Sequence, residues 1–265
     1  MKKRIILLFL IFLSLFYITP ISNANPIPLE PIHSGILTPL NETSIYLKSE
    51  YISATISDSV VERTEYILKN SEELSVNLSI ALPFGIWELF GYNLPDNILL
   101  TINGIEKEYN WSIFNYTDET GYNISCSAIV FNLTFGPFEE KIIVATYTRS
   151  FSASYGLRFY LYLTETGQFW NCSIEYARFN YKLDLIKGKI SISGLDSYSS
   201  SIDGHYLVIN KEFYNWTPTQ NIVISFDLGS PPSIPDIFVL LIAIDFILIM
   251  ILLIYKFIYK KELVQ

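Results

Sequence analysis

The 265-residue sequence predicts an all-β ectodomain, built as one or two antiparallel β-sandwiches and carried on one C-terminal transmembrane helix. Three observations lead there. Between residues 26 and 229 apolar residues recur with a period of two, Val, Ile, Tyr, Phe and Thr predominate, and no helix-period segment of useful length intervenes. Residues 237–255 are apolar except at Asp245 and are followed by Lys256, Lys260 and Lys261. Residues 1–24 have the three-part build of a signal peptide.

Composition narrows the function classes. The apolar fraction is 50%, but the two terminal runs account for much of that excess, and the remainder is an ordinary soluble composition. Net charge is −8, and basic residues head the signal (Lys2, Lys3, Arg4) and close the tail (Lys256, Lys260, Lys261), so the middle of the chain is more acidic than the whole and unsuited to nucleic acid.

In the signal peptide, Lys2, Lys3 and Arg4 precede an apolar run over residues 5–18, then Pro20, then Ser22-Asn23-Ala24 with small residues where a signal peptidase reads. Cleavage is expected after Ala24, with an uncleaved anchor helix as the alternative. Residues 25–150 form the first β-sandwich, with strands expected near 44–48, 51–56, 60–69, 76–80, 98–103, 124–135 and 141–149. Asn103-Gly104 is the strong two-residue hairpin signal there. A weak boundary at 150–156 introduces residues 151–229, a second sandwich or a continuation of the first, with strands near 157–163, 177–185, 189–193, 205–210 and 222–228. In the 177–185 strand one face carries Ala177, Phe179, Tyr181, Leu183 and Leu185, while the other carries Arg178, Asn180, Lys182 and Asp184. That is a strand covered on one side and wet on the other. Residues 196–201 read as a polar loop leading to a second hairpin at Asp203-Gly204.

A Pro/Ser stalk, 230–236, precedes the span at 237–255, whose nineteen residues cross a hydrocarbon core of ~30 Å. The basic tail, 256–265, is cytoplasmic by the positive-inside rule, which places a type I protein in the cell membrane with its ectodomain outside. A buried amphipathic helix is the alternative for 237–255, but the run has no polar stripe. Asp245 near its middle costs on the order of 2.5–3.5 kcal/mol on the insertion scale, which the surrounding Ile, Leu, Val and Phe outweigh. Asp245 is therefore a candidate contact with a partner helix or with a second copy of the chain; a tolerated carboxyl facing lipid is the alternative.

Eight Asn-x-Ser/Thr sequons, headed by Asn41, Asn77, Asn110, Asn115, Asn123, Asn132, Asn171 and Asn215, all lie between the signal and the membrane, where composition alone predicts about three. In Phe131-Asn132-Leu133-Thr134-Phe135 the alternation puts Asn132 and Thr134 on one face and the apolar residues on the other, so the acceptor faces water. These asparagines are candidate N-glycosylation sites; a composition-driven set that is never modified is the alternative. Cys126 and Cys172 are candidates for a disulfide, which by closing a loop of ~45 residues would stabilise the fold by roughly 4 kcal/mol in the chain-entropy model. Two free buried thiols are the alternative, and two cysteines cannot build a metal cluster.

No catalytic constellation is legible, and no enzyme, metal or cofactor is expected. His33 and His205 belong to no metal-ligand spacing, and neither a Gly-x-Ser-x-Gly elbow nor a glycine-rich phosphate loop is present. Glu72-Glu73 and Glu139-Glu140 read as turn charges. Phe169-Trp170 and Asn110-Trp111 are candidates for a carbohydrate- or protein-binding platform, against core packing as the plainer role.

Residues 45–84, with Ser49-Glu50 in an extended strand, Tyr66 before Asn70-Ser71, and an apolar strand closing on Pro83-Phe84, resemble the opening of a family of secreted prokaryotic domains of unknown function. The same order, with Ile102-Asn103-Gly104 as its turn, is distantly similar to the vault-protein and inter-alpha-trypsin domain. Tyr162 through Thr166-Gly167 to Trp170 and Ile174 is similar to a later stretch of the first family, although Asn171-Cys172 stands where a glycine is expected there. The resemblance implies a β-sandwich on a prokaryotic cell surface, archaea included, and carries over no catalytic residue. The expected function is a non-enzymatic surface protein that binds a surface protein or glycan or builds the envelope. The alternative is an accessory subunit recruited through Asp245, and an exported carbohydrate-active enzyme is a third, weaker reading.

Overall fold

The structure, a computed structural model, describes residues 29–41, 43–86, 94–117, 121, 123–151, 157–170 and 172–228. The signal peptide, Asn171, the stalk, the predicted transmembrane helix with Asp245 and the basic tail lie outside these residues. Among the described residues no helix is long and apolar enough to cross a membrane.

Most of the described residues are strand. In chain order these are β1 (Leu29–Gly35), β2 (Thr38–Pro39), β3 (Ile45–Ile56), β4 (Ser59–Asn70), β5 (Val76–Ile86) and β6 (Asp96–Ile102). Then follow β7 (Ile105–Glu106), β8 (Asn110–Thr117), β9 (Asn123–Phe135), β10 (Glu140–Ser150) and β11 (Leu157–Leu163). The last are β12 (Ile174–Asp184), β13 (Lys189–Ser193), β14 (Ser199–Asp203), β15 (Tyr206–Trp216) and β16 (Ile222–Asp227). A large eight-stranded sheet runs β14-β15-β12-β3-β4-β10-β6-β7; a first small sheet runs β1-β11-β16-β13 and a second runs β2-β5-β9-β8. Strands from both sides of residue 150 share the large sheet and the first small sheet.

Both small sheets cover the same face of the large one. Tyr160 meets Tyr181 at 5.6 Å between ring centroids and Tyr162 meets Phe179 at 5.8 Å, packing the first small sheet onto β12. Phe84 of the second stands edge-on to Tyr147 of β10 at 4.9 Å. The chain passes from one small sheet to the other between β1 and β2, where Ile36 and Leu37 are fully buried. The short 3-10 turn Glu165–Phe169 braces that passage: Thr166 donates to the Ile36 carbonyl at 3.0 Å, and the Trp170 indole donates to the Leu37 carbonyl at 2.6 Å.

Two features depart from the expected antiparallel pattern. β1 pairs with β11, and β3 with β12, in parallel. Parallel neighbours need long crossovers, so each pair joins segments far apart in the chain, which no local hairpin signal can announce. The second feature is a register shift in β3 between Leu47 and Ser49. Before it Ile45 and Leu47 point inward; after it Glu50, Ile52, Ala54 and Ile56 do. A bulge of this kind inserts one residue and swaps the faces, and here it turns Glu50 into the core.

Candidate functional site

β11 lays a ladder of polar side chains across the interior. Arg158, Tyr160 and Tyr162 alternate with outward residues, share one face and are all buried. Each addresses an acid on the β3–β4 hairpin. Arg158 Nη1 donates to Asp58 Oδ1 at 3.1 Å, Tyr160 donates to Glu62 Oε2 at 2.8 Å, and Tyr162 donates to Glu50 Oε1. Tyr66 extends the network: its hydroxyl lies 3.2 Å from that of Tyr162 and donates to the Gly35 carbonyl at 3.1 Å, at the end of β1.

Glu50 and Glu62 have no exposed surface at all. Burial pushes the Glu50 carboxyl up to about 8, the neighbouring Glu62 adds to the rise, and the Tyr162 hydrogen bond opposes it. Burial, and then the nearby carboxyls, hold Tyr66, Tyr162 and Tyr181 well above the ordinary tyrosine range, so all three stay neutral and Tyr66 and Tyr162 act as donors. Glu50 sits opposite Tyr66 and Glu62 opposite Ala54, rows four residues apart, or ~13 Å along the strands. A buried polar group is tolerable only with a partner. Here the partner comes from the opposite sheet, so the ladder fixes where the two layers sit on one another.

The outer surfaces carry the sequons. Asn41, Asn77, Asn110, Asn115, Asn123, Asn132 and Asn215 are all exposed; Asn171 lies outside the described residues. Four of them meet in pairs. Asn77 of β5 stands opposite Thr134 of β9 while Ser79 stands opposite Asn132, and Asn115 of β8 stands opposite Ser125 while Thr117 stands opposite Asn123. β9 buries Ile129, Phe131, Leu133 and Phe135 at one end but Cys126, from the opposite face, at the other, so the two pairs lie on opposite faces of their sheet. Where β7 and β8 meet β9, a cleft of about 590 Å³ opens, lined by Glu106, Lys107, Tyr109 and the sequon residues Asn110 and Asn132.

The remaining predicted residues fall as follows. The Cys126–Cys172 disulfide is not formed: Cys126 is buried with Tyr116 and Leu163, whereas Cys172 is exposed, and both are free thiols. The two side chains occupy different environments, Cys126 inside a buried cluster on β9 and Cys172 in water in the bend before β12. Burial pushes the Cys126 thiol up to about 12, which makes it a poor nucleophile. Glu139 takes the Gly136 amide at 2.7 Å and Lys141 at 2.6 Å, and Glu140 takes Lys48 at 2.8 Å, so this pair serves as turn and strand charges; Glu72 and Glu73 are exposed in a turn. Trp170 is core, while Trp111 remains 43% exposed beside Phe84. His205 lies in the β14–β15 turn with its ring on Tyr206. Among the described residues no three His, Cys, Asp or Glu side chains converge as a metal site.

Sequence reasoning passed over Glu50 and Glu62. Glu62 shares its parity with Val60, Tyr66 and Leu68, so alternation alone would have turned it inward. Glu50 shares parity with Ile52 and Ile56, but also follows a stretch of opposite parity that the bulge conceals.

Comparison with known proteins bears on the fold. No family model matches the chain, and no curated relative matches it. A Legionella pneumophila protein carrying a provisional nutrient-binding assignment aligns with a TM-score of 0.59 at 16% identity, covering 74% of this chain and 71% of that one. At that identity the likeness is one of fold alone. Two structures of the M1 zinc metallopeptidase from Deinococcus radiodurans align at TM-scores of 0.36 and 0.37 with 12% and 11% identity. The alignment covers 69% of this chain and 42% of the metallopeptidase, so this chain spans less than half of that enzyme, and scores so low carry no argument. None of these is a vault-protein or inter-alpha-trypsin domain.

Proposed function

We propose that the chain is a membrane-anchored surface glycoprotein whose β-sandwich ectodomain has a non-enzymatic role in binding or in building the envelope. The observation that carries this reading is the exposure of all seven described sequon asparagines, on strands and turns alike. Glycans at those positions would cover open sheet surface and discourage edge-to-edge pairing. The signal peptide, the single span and the acidic ectodomain are part of the same proposal, as is the resemblance to secreted prokaryotic domains. The test is the full-length protein extracted from its own membranes in mild detergent. A mass loss on deglycosylation, together with cleavage of residues 26–230 by protease added to intact cells, is the expected result; an unglycosylated, protease-protected ectodomain would overturn the reading.

A second reading, capture of a small molecule, draws on the cleft at the β7–β9 seam, whose volume falls in the ordinary range of ligand sites. The provisional assignment of the Legionella protein is consistent with it. Binding that survives Tyr109→Ala would remove this reading.

A further inference from the structure

The paired sequons share hydrogen bonds. Thr134 Oγ1 donates to Asn77 Oδ1 and Ser79 Oγ donates to Asn132 Oδ1, each at 2.6 Å. Across the other pair, Ser125 Oγ donates to Asn115 Oδ1 at 2.6 Å and Thr117 Oγ1 donates to Asn123 Oδ1 at 2.8 Å. In all four, the hydroxyl of one sequon serves the asparagine of the sequon facing it, and in all four the oxygen of the amide is the atom engaged.

We propose that these four hydroxyls hold the glycosylated amides of the neighbouring sequons, so that Asn77 with Asn132, and Asn115 with Asn123, carry their glycans as two oriented pairs. This rests on the reading that the sequons are used. The chemistry of the modification favours the arrangement. Asparagine Nδ2 attacks the anomeric carbon of an oligosaccharide linked to a polyprenyl phosphate carrier. The new bond is N–C; the anomeric C–O bond to phosphate breaks, its electron pair leaves with the lipid phosphate, and Nδ2 loses one proton. Oδ1 keeps both lone pairs throughout. A hydrogen bond accepted at Oδ1 therefore survives glycosylation, and by occupying that side of the planar amide it leaves Nδ2, and with it the sugar, on the other.

Each hydroxyl is thereby used twice. In the unfolded chain it completes the sequon of its own asparagine. In the folded sheet it restrains the asparagine across the strand pair. Because the two pairs project from opposite faces, the second small sheet presents a fixed glycan pair on each side.

The experiment compares two variants of the full-length protein purified from its own membranes. Thr134→Val and Asn132→Gln both destroy the 132–134 sequon and its glycan, but only the first removes the hydroxyl that faces Asn77. Release of the Asn77 glycan by peptide-N-glycanase under native conditions is followed by glycopeptide mass spectrometry. Release from T134V is expected to be about fivefold faster than from N132Q, the factor for one net hydrogen bond, while Thr134→Ser behaves as wild type. Equal rates for T134V and N132Q would overturn the proposal. Glycans on Asn41 and Asn215 with none on the four paired sites would overturn it while sparing the glycoprotein reading, and an entirely unmodified protein would remove both.

Discussion

Tyr162 of β11 donates its hydroxyl to Glu50 of β3, so one hydrogen bond joins the first small sheet to the centre of the large one. Glu50 is fully buried there, with Glu62, Tyr66 and Tyr162 as the ionisable groups acting on it. The folded protein thus contains a carboxyl that prefers to keep its proton.

Stability should accordingly fall as pH rises from the acid range toward 8. The Glu50 carboxyl is raised from 4.5 to about 8 on folding, so between those values the native state holds a proton that the unfolded chain has released. Its contribution is complete below 4.5 and is lost progressively as pH rises toward 8, with a limiting slope of about 1.4 kcal/mol per pH unit. Melting temperatures of wild type and Glu50→Gln, measured from pH 5 to 8, should converge toward acid, with the variant showing the flatter profile. Parallel profiles would count against the assignment.

Tyr160→Phe removes the donor to Glu62 and keeps the ring against Tyr181. Loss of a hydrogen bond to a buried carboxyl costs about 1–3 kcal/mol. Urea denaturation should show a lower midpoint with an unchanged slope; a midpoint equal to wild type would mean that another group takes over the contact.

The two cysteines should differ in reactivity. Cys172 is exposed and Cys126 buried, so one equivalent of maleimide should label the folded protein and a second only after denaturation. Labelling that requires prior reduction would instead indicate the disulfide.

Glycine positions offer a backbone test. Gly194 and Gly104 both sit at φ +80, but a Cβ at Gly194 would collide with the Asn221 carbonyl beside β16, whereas Gly104 has nothing within 4 Å. Gly104→Ala should cost only the left-handed strain, about 1–2 kcal/mol, and Gly194→Ala distinctly more. Similar losses in the two variants would show that the β13–β16 junction can give way.

How far the sequence foretold this molecule differs by element. Clean alternation located β4, β9, β10, β11, β13 and β16 to within a residue or two. β1 hid because Leu29–Gly35 contains Pro31 and shows no apolar alternation, and β14 because Ser199–Asp203 is exposed on both faces and has no alternation to detect. The Asn103-Gly104 hairpin formed as expected, whereas the second hairpin turns one residue later, at Gly204-His205, with Asp203 paired to Tyr206 in the ladder and bonded to Lys182 at 2.8 Å. Outward placement of Asn132 was legible, since residues two apart share a strand face. Its partnership with Ser79 was not, because strand register between β5 and β9 is a tertiary property.

The parallel pairing of β3 with β12 sets an order of events for a chain that emerges N-terminus first. β3 and β4 can zip together at once, but the opposite edge of β3 waits until β12 has been made, and the face bearing Glu50 and Glu62 waits for β11. During that interval both side chains are solvated, charged carboxylates on an unfinished surface, and charge of that kind opposes sticking to other nascent chains. The acids that later lie dry beneath two tyrosines would first serve as the wetting agents of a half-built sheet.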